Sequence, residues 1–523
     1  METPLTPLDF ARRARKLYGQ REAVVDGTRR FTYEAFFERC DRWSAALTGL
    51  GVGETDRVAT IAPNTHAHLE SFYGVPQIGA VLVPLNYRLL PDDFVYLINH
   101  SGAKVVCAHA DYLDAVDSIR GQIPHVRHFI AFEGRKEGWL DYETLLVDAE
   151  SDFPRPPIDE NQLLTINYTS GTTSKPKGVM ITHRNAWTNS VGTLVHRHIT
   201  PADRYLWTLP MFHANGWTFV WTITAAGGTH VCQRRVDAVS VYEQINREQI
   251  TLLCAAPTVL INIANGPEAL RAELRRDVEV ITAGAPPAAA TIERIEGELG
   301  WTLTQAYGLT ETAPFISFCE PRPEHQALSA AERAKIKSRQ GVELITSGEL
   351  RVVDTDDRDV PADGQTLGEI IARGNTVMRG YYNDPDASAK ALRGGWFRSG
   401  DVAVVHSDGY VEIRDRIKDV IISGGENISS IEVEAALLRH PAILEVAVVG
   451  VPHEKWGESP AAFIVLQAGQ TVGDDELRTF ARTNLAHFKV PSAFHIVTEL
   501  PKTATGKIQK FVLRGKRAAI ATQ

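Results

Sequence analysis

Tyr168-Thr169-Ser170-Gly171-Thr172-Thr173-Ser174-Lys175-Pro176-Lys177-Gly178 is the stretch from which the rest of the chain can be read. It follows directly on the apolar run Leu163 to Ile166, so an apolar segment delivers a polar turn. That turn combines small hydroxyl residues and a glycine with two lysines. Backbone N–H groups in such a turn form an anion-binding nest, hydroxyls add donors, and lysines add positive charge. The combination suits a polyphosphate. Standing alone, a Ser/Thr/Gly cluster reads more readily as a polar surface loop. Its ending, Lys177-Gly178, is not the Gly-Lys-Ser/Thr of a Walker loop, so the cradle of ordinary NTPases does not fit.

The surrounding chain sets bounds on what such a turn can serve. At 523 residues it exceeds what one hydrophobic core usually organises, and 44% hydrophobic with 23% charged residues is ordinary globular composition. A formal charge of −9 leaves no basic stripe for nucleic acid, so any phosphate recognition is local. No apolar run reaches the roughly 18 residues of a membrane span, and Met1-Glu2-Thr3-Pro4 does not open a secretory signal. The last residues, Ala521-Thr522-Gln523, form no peroxisomal address. Cys40, Cys107, Cys232, Cys254 and Cys319 are scattered and odd in number, which predicts packed, reduced thiols and a cytoplasmic protein.

Apolar, strand-like runs at Arg57 to Ile61, Ala80 to Val83, Lys104 to Cys107 and Phe129 to Phe132 alternate with helix-like stretches such as Tyr33 to Leu50. This alternation predicts a layered α/β architecture. A charged run, Arg414 to Asp419, marks the clearest boundary candidate. Beyond it, Ser429-Ser430-Ile431-Glu432 reads as a capping box opening a helix that ends before Pro441, followed by strand-like Leu444 to Val451.

Five further segments follow the polar turn in order: Pro210-Met211-Phe212-His213-Ala214-Asn215-Gly216-Trp217; Gln305-Ala306-Tyr307-Gly308-Leu309-Thr310-Glu311-Thr312; Trp396-Phe397-Arg398-Ser399-Gly400-Asp401; Arg414 to Asp419 with Ser423-Gly424-Gly425-Glu426-Asn427; and Pro501-Lys502-Thr503-Ala504-Thr505-Gly506-Lys507. With the turn, this series resembles the adenylate-forming superfamily of acyl-CoA synthetases, luciferases and peptide-synthetase adenylation domains. The resemblance implies a large N-terminal AMP-binding domain, residues 1–415, and a small mobile α+β domain, residues 416–523. It implies ATP, Mg2+ and coenzyme A as cofactors or co-substrates, a small carboxylic acid as the other partner, and a possible homodimer.

Roles follow by resemblance, residue by residue. Thr169, Ser170, Gly171, Thr172, Thr173 and Lys177 would grip the β- and γ-phosphates. Many relatives carry glycine where this chain has Ser174, so a negative φ is expected there. Gly284, Ala285 and Pro286 would line the adenine and acyl side, Tyr307 beside Gly308 would stack on adenine, and Asp401 with Arg416 would hold the ribose. Thr310 and Glu311 belong to the catalytic set, with Glu311 the magnesium ligand. Lys507 would bring a cation to the substrate carboxylate and α-phosphate. Lys418 would be the hinge, with Gly424, Gly425 and Trp456 meeting coenzyme A. Outside this context, the plainer readings are a helix-start charge for Glu311, a turn residue for Asp401, a core ring for Tyr307 and solvent decoration for Lys507.

His213, Asn215, Gly216, Trp217 and Trp221 would line the acyl pocket. The run Ala214 to Ala226 carries no charge. Amino-acid adenylation domains normally place an aspartate there for the substrate ammonium, so this pocket should reject acids bearing a second charge. The expected activity is an ATP-dependent acyl-CoA synthetase acting on a short-to-medium-chain or arylalkyl acid. The alternatives are an acyl-adenylate ligase loading a carrier protein, luciferase chemistry, and a non-catalytic nucleotide-binding regulator.

Overall fold

The computed structural model describes residues 2–169, 175–285, 287–424, 426–453, 456–503 and 508–514. Two large mixed sheets make the frame. In the eight-stranded sheet the order runs from Gly380–Tyr381 through Lys177–Thr182 and Leu163–Thr169 to Val81–Pro84, Arg57–Ile61, Val105–Ala108, His128–Ala131 and Leu140–Asp141. From Leu163–Thr169 outward every pairing is parallel. Its central strands are buried at nearly every residue, as parallel strands covered on both faces must be. The nine-stranded sheet has a parallel centre that includes Leu252–Cys254, Glu279–Thr282 and Thr302–Gly308, with antiparallel strands at each end.

Helix Tyr33–Gly49 shows why the layers pack. Thr32 caps it by accepting the Ala35 N–H, and Tyr33, Phe36, Phe37, Cys40, Trp43 and Leu47 recur on one buried face. Phe37 meets Tyr73 of helix His66–Gly74 edge-on at 5.2 Å. Gly74 lets the two helices approach, because a Cβ there would lie 2.5 Å from the Trp43 indole.

A four-stranded antiparallel sheet, Glu349–Val353, Gly368–Arg373, Phe397–Val405 and Val411–Arg416, follows in the chain. In it Asp401 and Arg416 are register partners. The chain then builds a separate five-stranded sheet with helices Ser430–Leu437 and Asp474–Asn484 over its own core, which includes Ile421, Val433, Leu437, Val448 and Ile464. The fold is therefore α/β, a large layered N-terminal part followed by a small α+β part.

The early strand expectations are met within one residue, with strands at Arg57–Ile61, Val81–Pro84, Val105–Ala108 and His128–Ala131. Ser429 caps its helix by accepting the Glu432 N–H at 3.1 Å. The Glu432 carboxylate goes instead to Lys489 Nζ, at 2.7 and 2.8 Å. All five cysteines are buried and unpaired.

Candidate active site

Strands Leu163–Thr169 and Lys177–Thr182 form a hairpin with Thr169 opposite Lys177 and Tyr168 opposite Gly178. The pairing thus fixes the two flanks of the polar segment, Thr169 and Lys177, against each other. Ser170, Gly171, Thr172, Thr173 and Ser174 lie outside the described residues. A Cβ on Gly178 would come within 2.9 Å of Ile166, so glycine permits this close crossing. Strand Gly380–Tyr381 pairs with the hairpin's second strand, setting the Tyr381 ring under Lys177 with Nζ 4.8 Å from its centroid. The Tyr381 hydroxyl donates to Glu311 Oε1 at 2.9 Å. Burial first, then the Glu311 charge, push the Tyr381 phenol well above its usual range, so it remains a donor.

Glu311 sits in the turn Thr310–Thr312, pinned by its own backbone oxygen, which accepts the Met378 N–H at 2.8 Å. Its second carboxylate oxygen has no protein partner among the described residues. A hard carboxylate oxygen in a half-exposed position fits a magnesium ion that keeps several waters.

Gly284 and Tyr307 lie towards the C-terminal ends of adjacent parallel strands, Glu279–Thr282 and Thr302–Gly308, where ligands of such sheets gather. Gly284 and Ala285 are exposed, and Gly284 has φ +88° with nothing within 4 Å of a Cβ built there. Pro286 is outside the described residues. Gly308 is required by packing, since a Cβ would stand 1.9 Å from the Pro314 carbonyl oxygen.

Around Tyr307 the nucleoside candidates converge. Its hydroxyl donates to Asp401 Oδ2 at 2.8 Å, and Arg416 Nε meets Asp401 Oδ1 at 3.1 Å. Asp401 is buried, and its charge is the leading reason that the Arg416 guanidinium is held above its ordinary value. Burial, and then Asp401, push Tyr307 far above the phenol range. A carboxylate offers about four lone-pair directions, so two remain on Asp401 after these contacts.

The acyl-motif residues fall on an unusual turn. Ala214–Trp217 makes one helical turn wound left-handed, with φ 39° at Ala214, 50° at Asn215, 54° at Gly216, 54° at Trp217 and 68° at Thr218. Each non-glycine residue so placed costs roughly 1–2 kcal/mol. Gly216 faces Trp207, whose ring would be 2.4 Å from a Cβ. Trp217 is buried against Phe315, with centroids 5.7 Å apart. His213, half-buried, precedes the turn. Asn215 points its amide into the protein, toward Thr165 and Asn167. Trp221 is deeper, in helix Phe219–Ala226, edge-on to Phe72 at 6.0 Å.

In the small part, Gly424 (φ +61°) donates its N–H to the Trp456 carbonyl at 2.8 Å, and a Cβ on Gly424 would touch the indole at 2.8 Å. The half-exposed Trp456 ring therefore lies over Gly424. Lys418 is exposed, two residues past the end of strand Val411–Arg416. Gly425 and Lys507 are outside the described residues. Three residues in contact with these groups, Tyr381, Thr165 and Asn167, carry no local motif that singles them out. Only long-range pairing brings them in.

Residues 10–382 match the family of AMP-binding enzymes, and residues 432–507 match the AMP-binding enzyme C-terminal domain. A 4-hydroxybutyrate–CoA ligase of Metallosphaera sedula is 42% identical over 530 residues, covering 99% of this chain and 96% of that protein. A 2-methylpropanoate–CoA ligase of Humulus lupulus is 42% identical over 530 residues, with 98% and 95% covered. Among solved structures, the anthranilate CoA ligase AuaEII in complex with anthranoyl-AMP superposes with a TM-score of 0.91 at 25% identity, covering 100% of this chain and 99% of that one.

Proposed function

The chain belongs to the AMP-binding enzymes and is an ATP-dependent, AMP-forming acid–thiol ligase, and from that premise we propose how its own residues divide the work. In the first half-reaction a carboxylate oxygen attacks the α-phosphorus of ATP and pyrophosphate leaves. In the second, the thiol of coenzyme A attacks the acyl carbon and AMP leaves. Charge builds on phosphorus and on the leaving group, so catalysis is mainly electrostatic placement.

The observation that carries the reading is the Asp401 carboxylate, buried and gripped from two sides by Tyr307 and Arg416 while keeping acceptor capacity for two ribose hydroxyls. Tyr307 stacks on adenine beside Gly284, Ala285, Pro286 and Gly308. Thr169, Lys177 and the Ser170 to Thr173 turn hold the β- and γ-phosphates. Glu311, oriented by Tyr381 and flanked by Thr310, holds magnesium, which when bound neutralises phosphate charge. Lys507 steadies the transferring carboxylate in the first half-reaction. The division into residues 1–415 and 416–523, with Lys418 as the hinge, lets Gly424, Gly425 and Trp456 meet coenzyme A in the second.

The acid is monocarboxylic and of short-to-medium-chain or arylalkyl type, a reading supported by the uncharged run behind His213 and by the Trp217–Phe315 wall. A cytoplasmic location fits five buried, unpaired thiols. Pyrophosphate exchange and thioester formation over a panel of acids test the reading. Lys507→Ala should slow exchange by about 10²–10³ while sparing thioester formation from supplied acyl-adenylate. Equal loss in both half-reactions removes Lys507 from this role, and acyl transfer to a carrier protein in place of coenzyme A overturns the choice of acceptor.

A further inference from the structure

Thr165, Asn167 and Asn215 close a ring of hydrogen bonds. The Thr165 hydroxyl donates to Asn167 Oδ1 at 2.8 Å, Asn167 Nδ2 donates to Asn215 Oδ1 at 3.1 Å, and Asn215 Nδ2 returns to Thr165 Oγ1 at 2.9 Å. Asn167 Nδ2 also reaches the Phe212 carbonyl at 3.1 Å. The three residues are 0%, 2% and 1% exposed, so each bond is made in a dry environment and none is replaced by water if broken. The directions are interlocked: turning the Asn215 amide over would set its NH2 against that of Asn167.

The ring joins two segments with separate tasks. Thr165 and Asn167 belong to strand Leu163–Thr169, which ends at the phosphate turn. Asn215 sits within the left-handed turn, between His213 and Trp217. Asparagine tolerates that backbone region better than most residues, but Ala214, Trp217 and Thr218 do not favour it. The local sequence therefore does not hold the turn in its hand, and a tertiary pin is needed.

We propose that Thr165, Asn167 and Asn215 are positioning residues that hold the left-handed turn, and with it His213 and Trp217, in the geometry that accepts the acid, registered against the strand that carries the phosphate turn. This rests on the acyl-pocket reading of that turn. It moves Asn215 from the pocket lining to the support behind it, since its amide oxygen and nitrogen both point into the ring.

Thr165→Val removes the hydroxyl at almost constant shape, and Thr165→Ser restores it. KM for acid and for ATP, the chain-length profile and the melting temperature are measured for both, with Trp217→Ala in parallel. Thr165→Val should raise the acid KM by about tenfold or more and blur the chain-length optimum, with the ATP KM within about twofold. Thr165→Ser should stay within about twofold of the native enzyme for both substrates. Should Thr165→Val not fold, Asn215→Gly, which allows the left-handed backbone but deletes the amide, should show the same acid-selective loss. An unchanged acid KM and profile, or an equal loss for acid and ATP, overturns the proposal. In the native enzyme affinity should rise about fourfold per methylene up to the wall, and Trp217→Ala should move that limit to longer acids. If Trp217→Ala changes nothing while Thr165→Val raises the acid KM, the wall reading falls and the ring stands. If neither variant alters acid use, both fall.

Discussion

Asp26 and Asp401 are both buried aspartates facing an arginine, yet one is spent and the other is not. Asp26 Oδ2 accepts the His66 ring N–H at 2.7 Å and the His66 backbone N–H at 3.0 Å, and Arg234 Nη2 meets Oδ1 at 3.1 Å and Oδ2 at 3.3 Å. The network continues outward. His66 Nε2 reaches Glu143 at 3.3 Å, Arg39 joins Glu143 to Glu70, and Arg234 pairs with Glu133 at 2.7 Å. By distance alone Asp26, His66 and Glu133 could hold a metal ion, but Arg234 already bridges the two carboxylates. Every charge there has a protein counter-charge. Asp401, with two side-chain contacts, keeps acceptor capacity in reserve. Burial is common to both, so what separates the structural acid from the acid proposed to bind ribose is unspent hydrogen-bonding capacity.

Removing the spent acid gives the largest expected effect. Asp26→Asn leaves the fully buried His66 poorly paired and takes one of two carboxylates from the partly exposed Arg234, and should cost about 3–5 kcal/mol of stability in denaturant melts with little change in activity per folded molecule. Activity lost at native stability would instead place Asp26 in the reaction.

A pH scan sharpens the same side of the contrast. Burial alone would lower the His66 pKa, but Asp26 and Glu143 outweigh it and raise it to about 9. Burial likewise opposes the Asp26 shift, and His66 with Arg234 still lowers it to about 2. A raised histidine contributes fully below its unfolded value near 6.5 and loses that contribution as pH climbs through 9. A lowered aspartate contributes above its unfolded value and loses that as pH falls toward 2. Stability should therefore decline by on the order of 3 kcal/mol between pH 6.5 and 9, and His66→Gln should flatten that limb. A native protein with no such limb would break the assignment of a charged His66.

On the unspent side, Asp401→Asn should weaken ATP binding roughly a hundredfold in calorimetry while lowering the melting temperature less than Asp26→Asn does. Replacing ATP by 2′-deoxy-ATP should then cost the variant less than it costs the native enzyme. Equal costs would mean that the open lone pairs do not face the ribose. Smallest is Tyr381→Phe, which frees Glu311 Oε1 and should raise the Mg2+ concentration needed for ATP binding about fivefold without touching AMP binding.

Much of this was legible in the sequence where information is local. Buried parallel strands are continuous apolar runs, so Arg57–Ile61 could be bounded to the residue, and Thr169, Lys177, Tyr307, Glu311 and Asp401 stood in recognisable segments. What escaped depends on distance along the chain or on backbone hand. Tyr381 meets Glu311 across 70 residues, and Asn215 meets Thr165 across 50. Ala214, Trp217 and Thr218 give no local sign that they will wind left-handed, because nothing about an alanine, a tryptophan or a threonine favours it. Trp456, expected from the sequence to meet coenzyme A, lies half-exposed over Gly424, a contact that depends on a backbone turn the sequence does not announce.

The placement of the cysteines has a practical consequence. All five lie at or before residue 319 and all are buried, with burial raising Cys319 to about 12 and pushing the other four thiols well above their ordinary value. At neutral pH a maleimide should find no ready thiolate on the folded enzyme, so its slow background reaction times the opening of the large part. One cysteine introduced on the exposed face of helix Asp474–Asn484 would then take a dye selectively, so that the proposed movement of the small part about Lys418 could be tested by fluorescence with the native thiols left in place.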